Sequence, residues 1–119
     1  MMKKVLAGIA AVCCLLTVAL PVGAQTVTAN ITGTAWCYSN KTSSTATSAA
    51  GKLETYFNTG TVTGEGAYQD GIYHVAISLQ CGGGDVREGR GYANGSRYWR
   101  AQGESTYGHP VTAAMHVTI

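Results

Sequence analysis

"VTGEGAYQDGIYHVAISLQC", Val62 to Cys81, holds two runs of period-2 alternation on either side of Asp70-Gly71. Alternation at two residues sends successive side chains to opposite faces of a strand. Asp-Gly suits a two-residue type I′ turn, because both central positions need positive φ. A hairpin centred there pairs Tyr68 with Tyr73, Gly66 with Val75, Gly64 with Ile77 and Val62 with Leu79. The opposite face collects Ala67, His74, Glu65, Ala76, Thr63, Ser78, Thr61 and Gln80. A slip of one residue would mix the apolar and polar faces, so this stretch predicts an antiparallel strand pair with one buried side.

The same pattern extends outward. Upstream, a turn at Thr59-Gly60 sets Phe57 against Val62 and Leu53 against Gly66. Val27, Ala29, Ile31, Gly33, Ala35 and Cys37 form the inward series of a long first strand. Ser39 to Gly51, rich in Ser, Thr and Ala, reads as a connection without a periodic face. Downstream of the glycine-rich turn at 82–85, "EGRGYANGSRYWRAQG" (Glu88 to Gly103) folds back at Asn94-Gly95, a second type I′ signature. Val111, Ala113, Met115, Val117 and Ile119 then alternate with polar or small residues. The expectation is an all-β chain of about seven strands in an antiparallel meander, closing as a compact barrel or a two-layer sandwich. Inward glycines at Gly33, Gly64 and Gly66 suit close approach of two layers.

The segment 1–24 begins with Lys3 and Lys4, continues through an apolar run from Val5 to Leu20 and ends in Val22-Gly23-Ala24. That layout predicts a signal peptide cleaved after Ala24, a single domain over 25–119, no transmembrane segment in the mature chain and a secreted or periplasmic location. Without Lys3 and Lys4 the six remaining Lys and Arg face six Asp and Glu, so net charge gives no support for a nucleic-acid partner. Cys37 and Cys81 both fall in phase with inward faces, and an oxidising compartment predicts a disulfide between them. A domain of this size buries roughly 60–70% of its unfolded surface, so such a staple would help.

Ile31 to Tyr38, "ITGTAWCY", resembles the Gly-x-Trp opening strand of lipocalins and avidins, with two residues instead of one between Gly33 and Trp36. The resemblance covers eight residues and carries over no ligand-binding residue.

Catalytic signatures are absent from the sequence. His74, His109 and His116 have no Ser or Cys placed beside them by spacing, and a nucleophile needs its base within hydrogen-bond reach. No metal or phosphate motif occurs, so neither an enzyme nor a cofactor is expected. On the predicted register Glu54 opposes Glu65 with His74 nearby, a pair read as two solvated carboxylates. The Asn94-Gly95 hairpin instead gathers Arg87, Arg90, Arg97 and Arg100 with Tyr92, Tyr98 and Trp99, and neither of its faces is plainly apolar. Arg90 would lie over Trp99 and Arg97 over Tyr92. Arg, Trp and Tyr are enriched at binding hot spots, so this hairpin is the expected recognition surface of a non-catalytic binding or inhibitor module for a protein or glycan. The competing expectation is a structural or self-assembling envelope component, suggested by Thr-rich strands and small-residue faces.

Overall fold

The computed structural model describes residues 25–119; the expected leader and its cleavage point lie outside the described residues. Eight strands follow one another: β1 (Thr26–Gly33), β2 (Cys37–Tyr38), β3 (Ala46–Thr55), β4 (Val62–Asp70), β5 (Ile72–Cys81), β6 (Val86–Arg97), β7 (Trp99–Ser105) and β8 (Val111–Thr118). They form two four-stranded antiparallel sheets, β1-β8-β3-β6 and β2-β7-β4-β5, that face each other without closing into a barrel. No helix among the described residues is long and apolar enough to cross a membrane.

The core is what alternation dictates. β8 buries Val111, Ala113, Met115 and Val117, and β1 buries Ala29 and Ile31. Leu53 of β3 joins them in the same sheet, and across the interior they meet Val62, Ile77, Trp99 and Ala101. Inward glycines make room for these side chains. A Cβ at Gly64 would lie 2.8 Å from Met115 Sδ and 2.9 Å from Leu53 Cδ1, and one at Gly66 would lie 2.8 Å from Ile77 Cδ1.

The connectivity is not a meander: of the consecutive strands, only β4 and β5 form a hairpin. The first strand stops at Gly33, whose φ of 75° turns the chain, and β2 joins the opposite sheet. Trp36, which the lipocalin-like spacing would place on a barrel strand, sits in that crossover, partly exposed. Half of the expected connection is strand β3, whose inward residues include Ala49, Gly51, Leu53 and Thr55. Ala, Gly, Ser and Thr give too little contrast in hydropathy to display the period.

The hairpin at Asp70-Gly71 forms in a different register. A single residue, Gly71 with φ of 74°, separates the paired Asp70 and Ile72. Farther in, Gly66 pairs with Ile77 and Ala67 with Val75, so Ala76 is a bulge residue. The turn and the bulge together shift the pairing by two, and Val62, Gly64 and Gly66 still share the inner face with Cys81, Leu79 and Ile77. Beyond the bulge Val75 turns outward and is 50% exposed.

The expected Cys37–Cys81 bridge does not form; both are free thiols. Cys37 pairs with Gly103 of β7, Gly103 with Gly64 of β4, and Gly64 with Leu79 of β5. Three strand spacings of about 4.8 Å separate Cys37 from the strand of Cys81, whereas a disulfide tolerates less than about 7 Å between Cα atoms. Cys37 Sγ lies 3.7 Å from Thr32 O, while Cys81 Sγ lies 3.6 Å from Asp85 O. Burial pushes the Cys81 thiol up, against the opposing hydrogen bond from Thr55. In denaturant without reductant, a thiol reagent is expected to label both residues. In the native protein Cys37 should react first, because the thiolate is the reactive form and Cys81 is shielded. Failure of both to label in the unreduced, denatured chain, mapped by mass spectrometry, would restore the bridge.

Candidate binding face

The predicted Arg/aromatic hairpin does not form. β6 and β7 belong to opposite sheets, so Glu88 to Gly103 passes from one sheet to the other instead of folding on itself. Asn94-Gly95 occupies an excursion of β6: Ser48 pairs with Tyr92 and Ala46 next with Arg97. Asn94 Oδ1 accepts from Arg97 Nε at 3.1 Å, and Asn94 Nδ2 donates to Asp70 Oδ2. The seven expected recognition residues are thereby divided. Arg87, Arg90 and Tyr92 stand exposed on the β6 edge strand, with Arg90 Nη1 donating to Ser48 Oγ. Arg97 pairs with Asp70 at 3.5 Å. Trp99 is wholly buried, and its indole Nε1 donates to Ala46 O at 2.9 Å. Neither Arg90 over Trp99 nor Arg97 over Tyr92 exists.

Arg100 and Tyr98 remain, and the fold gives them new companions. On β7 the alternation that buries Trp99 and Ala101 turns Arg100 and Gln102 to the outer face of their sheet. Arg100 pairs across the ladder with Ala67 of β4, which pairs in turn with Val75 of β5. Ala67 is fully buried yet stands apart from the interior cluster. The Arg100 side chain lies across this small residue to reach β5, where its guanidinium carbon sits 3.7 Å from the Tyr73 ring centre. From β2, Tyr38 closes the other side at 4.5 Å. Trp36 stacks beside Tyr38 with ring centres 6.3 Å apart, and Lys41 Nζ stands 4.7 Å over the Tyr98 ring.

The polar groups of this face hold the guanidinium by one nitrogen only. Arg100 Nε donates to Gln102 Oε1 at 2.9 Å, and Gln102 Nε2 donates to Glu65 Oε1 at 2.8 Å. Among the described residues no carboxylate lies within ion-pair distance of Arg100 or Lys41, and no acceptor meets the two Arg100 Nη nitrogens. Glu65 is already engaged by Gln102; Glu104 lies four residues along β7, about 13 Å away. Sequence reasoning named Arg100 and Tyr98 but missed Tyr38, Tyr73, Trp36 and Lys41. No local signal marks them, because strands distant in the chain bring them together.

The acidic pair also dissolves. Glu54 and Glu65 lie in different sheets. Glu54 meets Lys52 Nζ at 3.1 Å and His116 Nε2 at 3.2 Å, and His116 Nδ1 shares a 2.8 Å hydrogen bond with Thr28 Oγ1. His74 stacks on Tyr68. Although Thr28, His116 and Glu54 line up like a proton relay, Thr28 and His116 are facing partners on the outer side of a regular sheet. Burial raises the Glu54 carboxyl, but hydrogen bonds and charge from Lys52 and His116 outweigh it and hold the group below its ordinary value. A depressed folded value stabilises above the unfolded pKa of about 4.3, and that contribution disappears as pH falls through the folded value. Glu54→Gln is therefore expected to lower stability slightly near neutral pH, by less than about 1 kcal/mol for so solvated a pair, read as a small drop in Tm. The difference should shrink as pH falls below the ordinary carboxylate value and vanish once pH passes below the folded value. A difference that persists in acid would assign the effect to packing.

In comparisons with protein-family models, curated proteins and solved structures, nothing matches this chain.

Proposed function

We propose that this protein is an exported, non-catalytic binding module that holds its ligand on the outer face of the β2-β7-β4-β5 sheet. The observation that carries this reading is the Arg100 guanidinium, clamped between Tyr38 and Tyr73, whose two Nη nitrogens meet no acceptor among the described residues. A fork already fixed in place loses little rotamer entropy when it binds, and it projects two parallel donors. Aromatic rings beside it add stacking surface at low entropic cost.

Side chains suit this role better than sheet edges do. β6 lies against β5, where a Cβ at Gly91 would come within 2.6 Å of Ala76 O. β1 lies along β2 and β7. Edges that cover one another resist strand addition, which also weighs against self-assembly through strand pairing.

The test compares two variants of the purified protein against immobilised polysaccharides and its own envelope proteins. Arg100→Gln is expected to abolish retention, with only a small loss of stability from two partly exposed cation–π contacts of about 0.5–1 kcal/mol each. Arg90→Gln with Arg97→Gln is expected to leave retention intact. The reverse pattern would return recognition to the Asn94-Gly95 segment.

A further inference from the structure

We infer that the ligand class of this face is an acidic saccharide whose carboxylate seats on the Arg100 Nη nitrogens; the inference rests on the binding-module reading and specifies it. Charge complementarity comes first. Residues 25–119 are balanced in charge, six against six, yet among the described residues no carboxylate lies within ion-pair distance of Arg100 or Lys41. Gln69 joins them: its Oε1 accepts from Lys41 Nζ at 3.4 Å, and it pairs across the ladder with Tyr73, the ring beneath Arg100. Two cations on one face, neither of them ion-paired among the described residues, call for an anion from outside.

The fork geometry narrows the anion. Nε is spent on Gln102, so the outer Nη pair offers donors matched to a planar or tetrahedral oxyanion. The remaining surface narrows the scaffold. Beside the guanidinium stand the amide of Gln102 and the rings of Tyr38 and Tyr73, and beside Lys41 stand the amide of Gln69 and the ring of Tyr98. Amides and tyrosine hydroxyls match the hydroxyls of a sugar, and rings match its apolar faces. Trp36 continues the row beyond Tyr38 and is 38% exposed, which gives a neighbouring sugar unit a ring to stack on. An acidic peptide would instead seek a free sheet edge for main-chain pairing, and the edges here cover one another.

The experiment measures binding of the purified protein to galacturonate, mannuronate and glucuronate polymers and to a sialylated oligosaccharide. Each is paired with its methyl-esterified or carboxyl-reduced mate, and polyglutamate is the peptide arm. At least one acidic saccharide is expected to bind, and its carboxyl-masked mate to bind about 10- to 100-fold more weakly, the worth of a charge-assisted bidentate contact. Arg100→Gln should reproduce that loss, and Arg100→Lys, which keeps the charge but not the fork, should lose about tenfold. Arg90→Gln, on the β6 edge strand outside this face, should stay within about threefold of wild type, and an unchanged near-ultraviolet circular dichroism spectrum of Arg100→Gln checks that folding is not the cause. Equal binding of acidic and masked saccharides overturns the inference while leaving a binding module in place. So does tighter binding of polyglutamate than of any saccharide, which leaves a module for acidic proteins. Retention of no saccharide, acidic or masked, overturns it too. Full affinity in Arg100→Gln removes both the inference and the face on which it rests.

Discussion

Replacing Trp99 with alanine is expected to cost this protein about 3–5 kcal/mol, the largest single-residue effect in the chain. The ring is the largest fully buried side chain, at 0% exposure, and it closes one end of the core against Tyr68, whose ring centre is 5.6 Å away. Truncation opens a cavity bounded by two sheets that cannot collapse independently, and it leaves Ala46 O without its 2.9 Å indole partner. Small domains hold only about 5–15 kcal/mol in all. At about 4–8 °C per kcal/mol, Tm should fall by some 15 °C or more, read by near-ultraviolet circular dichroism. Trp99→Phe should recover part of the loss. Fluorescence separates the two tryptophans: acrylamide should quench Trp36 readily and Trp99 hardly at all. A loss below about 1 kcal/mol in Trp99→Ala would mean that the ring does not fill the interior.

Gly103→Ala is expected to be nearly as damaging, although it adds one methyl group. A Cβ there would collide with Ile31 Cδ1 from the facing sheet and stand 2.6 Å from Thr63 O on the neighbouring strand. Isoleucine can rotate away; a backbone carbonyl held in a ladder cannot. Overpacking of this kind costs about 1–3 kcal/mol, and the fixed carbonyl places Gly103 at or beyond the upper end. At Gly64 and Gly66 the closest neighbours are side-chain atoms of Met115, Leu53, Ile77 and Val117, so alanine should cost less there. Adding Ile31→Val to Gly103→Ala should return only part of the stability, because the Thr63 contact remains. Full rescue would show that the strand can shift, and additive losses would show that the two residues do not touch.

The parts of the fold legible in the sequence are those where side chains differ strongly between faces. β8 was legible because Val111, Ala113, Met115 and Val117 alternate with polar or small partners, and β1 was legible from Val27 to Ile31 for the same reason. The hairpin of β4 and β5 was legible as a hairpin. Its register was not, since a one-residue turn at Gly71 and a bulge at Ala76 are settled by how the sheet coils over its core. β3 escaped notice because alanine, glycine, serine and threonine fit either face.

Local turn chemistry misled where the tertiary structure had another use for it. Asn94-Gly95 supplies a conformation open to a turn, and the fold spends it on an excursion within β6 because Trp99 and Ala101 must reach the opposite sheet. The phase of a cysteine fixes only whether it points inward. Phase brought Cys37 and Cys81 onto the inner side of one sheet, and strand order then set them three strands apart. By itself the sequence determined that the chain is all-β, which strand faces are apolar, and that arginine and tyrosine concentrate near residue 100. Only the tertiary structure decided which tyrosines flank which arginine. Alternation is a property of one strand, whereas neighbours across a sheet are chosen by the packing of all eight.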